Sequence, residues 1–313
     1  MPSNQTPLGS LPARFRRPRV LIVGCGDVGL RVARGLRGAR VLALTSSKER
    51  VAALRARGIV PLRGDLDRPA TLRRLAGIAT HAVHLAPPPG EGRHPWWRDL
   101  RTVALLRALR MRTPPAALVY GSTSGVYGDC GGALVSEVRT PAPATPRAHR
   151  RADAEAAVRF LGRAGVRASI LRIPGIYADD RAGGARVRLE KGTPVLHAAD
   201  DVYTSHIHAD DLARACVAAL WRGRAQRIYN VCDGTRMKMG DYFDLAADLY
   251  GMPRPPRVER AAAQRALPMA LLGFMGESRQ LDNMRMRREL RLVLRHPHVR
   301  DGLMAGGWQD TPL

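Results

Sequence analysis

Short runs of aliphatic and β-branched residues alternate along the first two thirds of the chain with stretches whose apolar positions recur every three or four residues. Arg19–Val23 predicts a buried strand and Val28–Leu36 the helix that follows it. The same pattern predicts strands at Val41–Leu44, Ile59–Leu62, His81–Ala86, Ala117–Tyr120 and Ala168–Arg172. Helices are expected over Lys48–Arg57, Leu72–Leu75, Trp97–Arg112 and Ala148–Gly162, the third ended by Pro114 and Pro115. Such regular alternation implies right-handed crossovers and an α/β fold with a doubly wound parallel sheet. Asp210–Trp221 is a further helix, and Arg227–Val231 a strand that could return to the main sheet. Residues 239 to 310 are helical stretches broken by Pro253, Pro255, Pro256, Pro268 and Pro297, which predicts a smaller, mainly helical C-terminal cap. The expected organisation is therefore a disordered basic tail over 1–17, a sheet domain over 18–177 and 206–231, and a cap over 178–205 and 232–313.

The first strand runs into Gly24-Cys25-Gly26-Asp27-Val28-Gly29, a Gly-x-Gly-x-x-Gly that opens a helix. Between a strand and a helix this spacing is the dinucleotide-binding fingerprint of a Rossmann-like fold. Gly24 permits the tight turn, Gly26 the approach of a pyrophosphate, and Gly29 close packing of helix on sheet, while the helix N-terminus meets the negative charge. About 20 residues on, an NAD site places an acidic residue on the ribose. Here the chain reads Thr45-Ser46-Ser47-Lys48-Glu49-Arg50, and its hydroxyls and the cations Lys48 and Arg50 suit a 2′-phosphate. NADP is thus the expected cofactor, with NAD the alternative; Ser46 or Ser47 could equally cap the following helix. Gly64-Asp65-Leu66, after the third strand, stands where an adenine contact would lie.

Composition narrows the picture. The 313 residues carry 51 basic and 27 acidic groups, a formal net charge of +24. That charge favours phosphorylated or nucleic-acid partners in general. Yet only Lys48, Lys191 and Lys238 are lysines, the arginines are spread over nearly every segment, and aromatics make up 5%. This is a compositional bias without the concentrated footprint of a nucleic-acid binder. Cys25, Cys130, Cys216 and Cys232 are too scattered for a zinc site or a disulfide framework and read as reduced thiols. Cys25 stands at a helix N-terminus that could lower its pKa, but it reads more simply as a small packing residue. No apolar run reaches the roughly 18 residues of a membrane span. A cytoplasmic monomer or homodimer acting on a small molecule is expected, with neither membrane nor dedicated nucleic-acid binding.

Taken together, the motifs resemble the extended and atypical branch of the short-chain dehydrogenase/reductase superfamily, which includes NAD-dependent epimerases and dehydratases of nucleotide sugars. The matching segments are Gly24–Gly29, Asp65-Leu66, the strand ending Ala86-Pro87-Pro88, and Tyr120-Gly121-Ser122-Thr123-Ser124-Gly125-Val126-Tyr127-Gly128. Leu171–Tyr177, with Pro174, resembles the segment lining the nicotinamide pocket, and Ile207–Leu212 the loop opening a later helix. The resemblance implies cofactor contacts at Ala86, Pro87, Pro88, Ser122 and Pro174, and a substrate domain in the C-terminal cap. It also implies a hydroxyl that polarises the substrate oxygen, matched by Thr123, and a Tyr-x-x-x-Lys pair on the helix near residue 150.

That pair is missing. Arg147 stands in the tyrosine position and Arg151 in the lysine position, and four residues after each of the seven tyrosines there is no lysine. Arg151 could still donate to ribose hydroxyls, whereas an arginine at 147 cannot act as an acid near neutral pH. Tyr127, His149 and Tyr177 are the candidate replacements for proton transfer, and each has a structural reading as core, solvated helix or pocket wall. His206 and His208 suggest a metal pair by eye but fit a strand end better, so no metal is expected. Ser278-Arg279 and Asp282-Asn283 also resemble a late segment of this branch, without an assigned role. An oxidoreductase or epimerase/dehydratase acting on a carbonyl or hydroxyl compound is expected, a nucleotide-linked substrate being one option. The alternative is an NADP(H)-binding sensor or regulator that has lost turnover.

Overall fold

The computed structural model describes residues 17–90, 92, 95–181 and 184–304; all of the basic tail except Arg17 lies outside them. Seven strands form one sheet: β1 (Arg19–Val23), β2 (Arg40–Thr45), β3 (Val60–Arg63), β4 (His81–His84), β5 (Ala117–Thr123), β6 (Arg167–Ile173) and β7 (Arg227–Asn230). All neighbours are parallel, in the order β7-β6-β5-β4-β1-β2-β3. Alternate residues of each strand point to opposite faces. Val20, Ile22, Val41, Ala43, Val83 and Val119 accordingly meet helices α1 (Asp27–Gly35) and, later in the chain, Ala209–Arg222. Leu21, Val23, Leu42, Leu44, Leu118 and Tyr120 meet the other layer, built from α3 (Leu100–Arg110) and α4 (Pro146–Gly162). The short α2 (Arg50–Ala56) joins β2 to β3, and Leu54 carries its buried contact. This is the doubly wound, Rossmann-like sheet that the alternation predicted.

Two strand ends lie more than one residue from the sequence expectation, and both matter for the site. β4 stops at His84, two residues early, because the Leu85 and Ala86 amides both turn to the Val23 carbonyl at 2.7 and 3.1 Å. β5 instead continues past Tyr120 to Thr123, as Gly121, Ser122 and Thr123 pair with Leu171, Arg172 and Ile173 of β6. The ladder overrides the weak strand preference of Gly-Ser. Leu72 lies in a 3-10 turn, Pro69–Leu75, rather than an α-helix.

Beyond β6, the strand Gly175–Tyr177 pairs in parallel with His206–His208. A third apolar cluster, centred on Tyr177, Leu189, Val195, Tyr242, Phe243 and Leu303, gathers the C-terminal helical segments, of which Met239–Tyr250 is the longest. Among the described residues no helix is long and apolar enough to cross a membrane.

Candidate active site

In an open parallel sheet, ligands bind beyond the carboxyl ends of strands where the chain direction of winding reverses. That point here lies between β1 and β4. Gly24 leaves β1 with φ +86°, and a Cβ on it would stand 2.3 Å from the Ala86 amide nitrogen. A Cβ on Gly29 would press to 2.7 Å on the Gly24 carbonyl, whereas one on Gly26 would meet nothing within 4 Å. The first and third glycines therefore close the turn, and the second leaves open the space that a pyrophosphate requires. A cleft of about 540 Å³ begins there, lined by Gly24–Gly29, Thr45–Ser47, Arg50, Gly64–Leu66, Ala86 and Pro87. Its size suits a cofactor. The residues singled out for the glycine loop, the hydroxyl segment and the adenine contact are thus brought to one surface.

The 2′-phosphate segment is only partly as expected. Thr45 is buried, and its Oγ1 accepts the Ser47 amide at 3.3 Å. Ser47 Oγ donates to Glu49 at 2.5 Å, while Ser46 is exposed. Arg50 lines the cleft and donates to the Cys25 carbonyl of the glycine loop. Lys48 is exposed and outside the lining, a correction that follows from its place in the turn before α2. Burial pushes the Cys25 thiol up to about 11, so it is a packing residue rather than an activated thiolate. Two lining arginines, Arg101 and Arg181, are distant in sequence, and only the fold reveals them. Arg101 is fixed on Asp67 at 2.6 Å and donates to the carbonyls of Pro87 and Pro88. Pro88 itself is buried outside the lining.

Thr123 ends β5 half-buried, and its Oγ1 accepts the Gly125 amide at 3.2 Å. Its O–H proton is thereby left to donate elsewhere. Ser122 is corrected from a cofactor contact to a structural one. Its hydroxyl donates to Glu155 at 2.6 Å in a buried network where Arg172 Nε and Nη2 meet the same carboxylate at 3.1 and 2.8 Å. Arg151 is buried on α4, where Nη1 donates to the Gly121 carbonyl at 2.7 Å and to the Tyr120 hydroxyl at 3.0 Å. It therefore buttresses the carboxyl end of β5 from beneath. Arg147, one turn earlier, is exposed to solvent on the same helical face. Partial enclosure and the neighbouring Arg151 and Arg150 hold its pKa below the usual arginine value. Pro174 is half-buried at the bend between β6 and Gly175.

None of the three candidate proton donors is among the residues lining the cleft. Tyr127 is fully buried, donates to Asn230 Oδ1 at 2.7 Å and lies under the Arg172 guanidinium at 4.5 Å. Tyr177 is buried between His206, His208 and Gly302, with its hydroxyl on the His298 carbonyl at 3.4 Å. Burial raises the pKa of both phenols, and neither opens to the cleft. His149 stands edge-on to Trp96 at 5.2 Å, and two residues from Arg151 it projects from another side of α4. His208, Asp210 and His296 converge closely enough to suggest a metal group. Arg31, however, already occupies Asp210 at 2.5 Å, and His208 Nδ1 accepts the Asp210 amide at 3.2 Å.

A doubly wound sheet with a glycine-loop cleft at its switch point defines a dinucleotide-binding protein. The sequence places it further: residues 20–232 match the model of the NAD dependent epimerase/dehydratase family, and the chain belongs to that family. No curated protein matches the sequence. Among solved structures it is similar to a conserved protein of unknown function from Silicibacter pomeroyi, at 26% identity and a TM-score of 0.74, covering 92% of this chain and 97% of that one. It is similar also to UDP-glucose 4-epimerase of Thermotoga maritima bound to UDP-glucose, at 19% identity and a TM-score of 0.74, over 91% and 96% of the two chains. A third likeness is to DesIV, a dTDP-glucose 4,6-dehydratase of Streptomyces venezuelae in a double-mutant form with NAD, at 21% identity and a TM-score of 0.72, over 91% and 95%. The cofactor class is therefore a nicotinamide dinucleotide.

Proposed function

We propose that this protein is an NADP-dependent oxidoreductase or epimerase/dehydratase that acts on a carbonyl or secondary hydroxyl group of a small, nucleotide-linked substrate. The observation that carries this reading is the glycine-loop cleft at the switch point of the sheet, with Thr123 at the carboxyl end of β5 on the same sheet edge. The glycine loop and the start of α1 hold the pyrophosphate by backbone amides. Arg50 holds a 2′-phosphate, opposed locally by Glu49, and Asp65 and Leu66 bound the adenine. When bound, the nicotinamide supplies hydride chemistry. Thr123 donates to the substrate oxygen, and Arg147 presents an exposed cation one turn before Arg151 on α4. With an arginine in the usual tyrosine position, charge on that oxygen is stabilised by these fixed groups rather than by transfer from a phenol.

The test is NADPH oxidation against a panel of nucleotide-linked and simple carbonyl compounds, with wild type beside Thr123→Val. Turnover that falls roughly a hundredfold in the variant, with unchanged NADPH affinity, is the expected result. Unchanged turnover removes Thr123 from the mechanism. A second reading, an NADP(H) sensor without turnover, is favoured by the burial of Tyr127 and Tyr177 and by the placement of His149 on Trp96. Tight NADPH binding without oxidation on any substrate selects it.

A further inference from the structure

The glycine loop contains an acidic residue where the cofactor's negative charge would arrive. Asp27 follows Gly26, lines the cleft, and keeps a carboxylate 40% exposed. Unneutralised, that carboxylate would oppose a pyrophosphate at close range. Two arginines answer it. Arg31, one turn on in α1 and 6% exposed, takes Asp27 Oδ1 at 2.9 Å. The same guanidinium holds Asp180 at 2.5 and 2.6 Å, so it fastens the segment after Tyr177 onto the glycine-loop helix. The next residue in that segment is Arg181, whose side chain reaches back to line the cleft. Its Nη1 stands 3.5 Å from Asp27 Oδ2, beyond a good hydrogen bond. That atom is out of contact with water and has no hydrogen-bond partner among the described residues.

A guanidinium Nη1 that faces Asp27 without a hydrogen bond, beside an open glycine loop, keeps a donor that an anion can take. We propose that Arg181 is a ligand of the cofactor's pyrophosphate and that Asp180, gripped by Arg31, positions it. Cofactor binding thereby pins residues 178–181, which lead into the C-terminal helical segments, across the glycine loop. This inference rests on the reading of the cleft as a dinucleotide site. It also separates two cations by ligand group: Arg181 acts on the pyrophosphate common to NADH and NADPH, whereas Arg50 acts on the 2′-phosphate.

The test is calorimetric titration of the full chain with NADPH, NADH, ADP-ribose and 2′-AMP, the last with no phosphate at the pyrophosphate position. Arg181→Gln should weaken NADPH, NADH and ADP-ribose alike by about 10- to 100-fold, the scale of one charge-assisted contact, and leave 2′-AMP unchanged. Arg181→Lys should recover part of the loss. Asp180→Asn should weaken the same three ligands, and the double variant Asp180→Asn/Arg181→Gln should be no worse than Arg181→Gln alone, since positioning has no effect without the group positioned. Unchanged dinucleotide affinity in Arg181→Gln, or an equal loss on 2′-AMP, overturns the assignment. Additive losses in the double variant overturn the positioning role of Asp180. Wild-type protein that binds none of the four ligands overturns the dinucleotide reading itself, an outcome distinct from either.

Discussion

Glu155→Gln isolates the feature that ties α4 to the carboxyl ends of the central strands. Arg172 is fully buried, and Glu155 is its carboxylate partner through two hydrogen bonds at 3.1 and 2.8 Å, with Ser122 donating to the same group at 2.6 Å. Ser122 precedes Thr123, and Glu155 lies one turn after Arg151, so the network ties α4 to the ends of β5 and β6. Glutamine keeps the shape but removes the negative charge and leaves a buried guanidinium uncompensated. Breaking a buried pair in this way costs about 3–5 kcal/mol. Against a total stability of roughly 5–15 kcal/mol that is a large fraction, equivalent to a fall in Tm on the order of 10 °C for a chain of this size. Thermal and urea unfolding of Glu155→Gln should show it. The double variant Glu155→Gln/Arg172→Met, which removes the orphaned charge as well, should recover most of the loss. A Tm change below about 2 °C in the single variant, or a double variant no better than the single, would refute the claim that an unpaired buried arginine is the cause.

Arg50→Ala should weaken NADPH by about 10- to 100-fold while barely changing NADH, as read by titration; equal losses would remove Arg50 from the 2′-phosphate site. Gly24→Ala should abolish dinucleotide binding, because its Cβ would overlap the Ala86 backbone at a positive φ, and retained affinity would contradict the packing of that turn. Burial depresses His206 and His208 to about 4, His208 with help from His296, and His84 to about 3 with help from Arg151. At these three groups the unfolded chain binds more protons than the native one below the ordinary histidine range, so they contribute a loss of stability as pH drops from about 6.5 towards 4. Asp233, raised by burial to about 7, works in the opposite direction over that whole window, as do Asp99, Glu137 and Asp201, also raised by burial, so the histidine contribution is read as the difference between wild type and a histidine variant. His206→Phe, which keeps the stacking on Tyr242, should flatten the decline in urea midpoint; an unchanged slope would exclude His206 as a contributor.

The core of the fold was legible because its signals are local. Arg19–Val23, the three glycines and the alternating strand patterns specify their own geometry, and each occupies its predicted place. β5 was read three residues short because Gly121, Ser122 and Thr123 owe their strand conformation to β6, a partner some fifty residues away in sequence. Side-chain direction was the harder problem. Tyr127 lies four residues from Thr123, yet the 3-10 turn Ser124–Tyr127 carries it into the core onto Asn230. A single acid on a helix such as Glu155 carries no mark in the sequence, although burial beside Arg172 makes it the anchor of the region. Arg181 and Arg101 gave no sequence signal as cofactor residues, since a chain with so many arginines offers no contrast until tertiary contacts single out those that face the cleft.

The central claim is a nicotinamide-dinucleotide site with a preference set at the end of β2. Parallel calorimetric titrations of the wild-type chain with NADPH and NADH at one fixed salt concentration test it most directly. One dinucleotide per chain, with NADPH the tighter ligand, is the predicted result; tighter binding of NADH, equal affinity, or no saturable binding of either would contradict it.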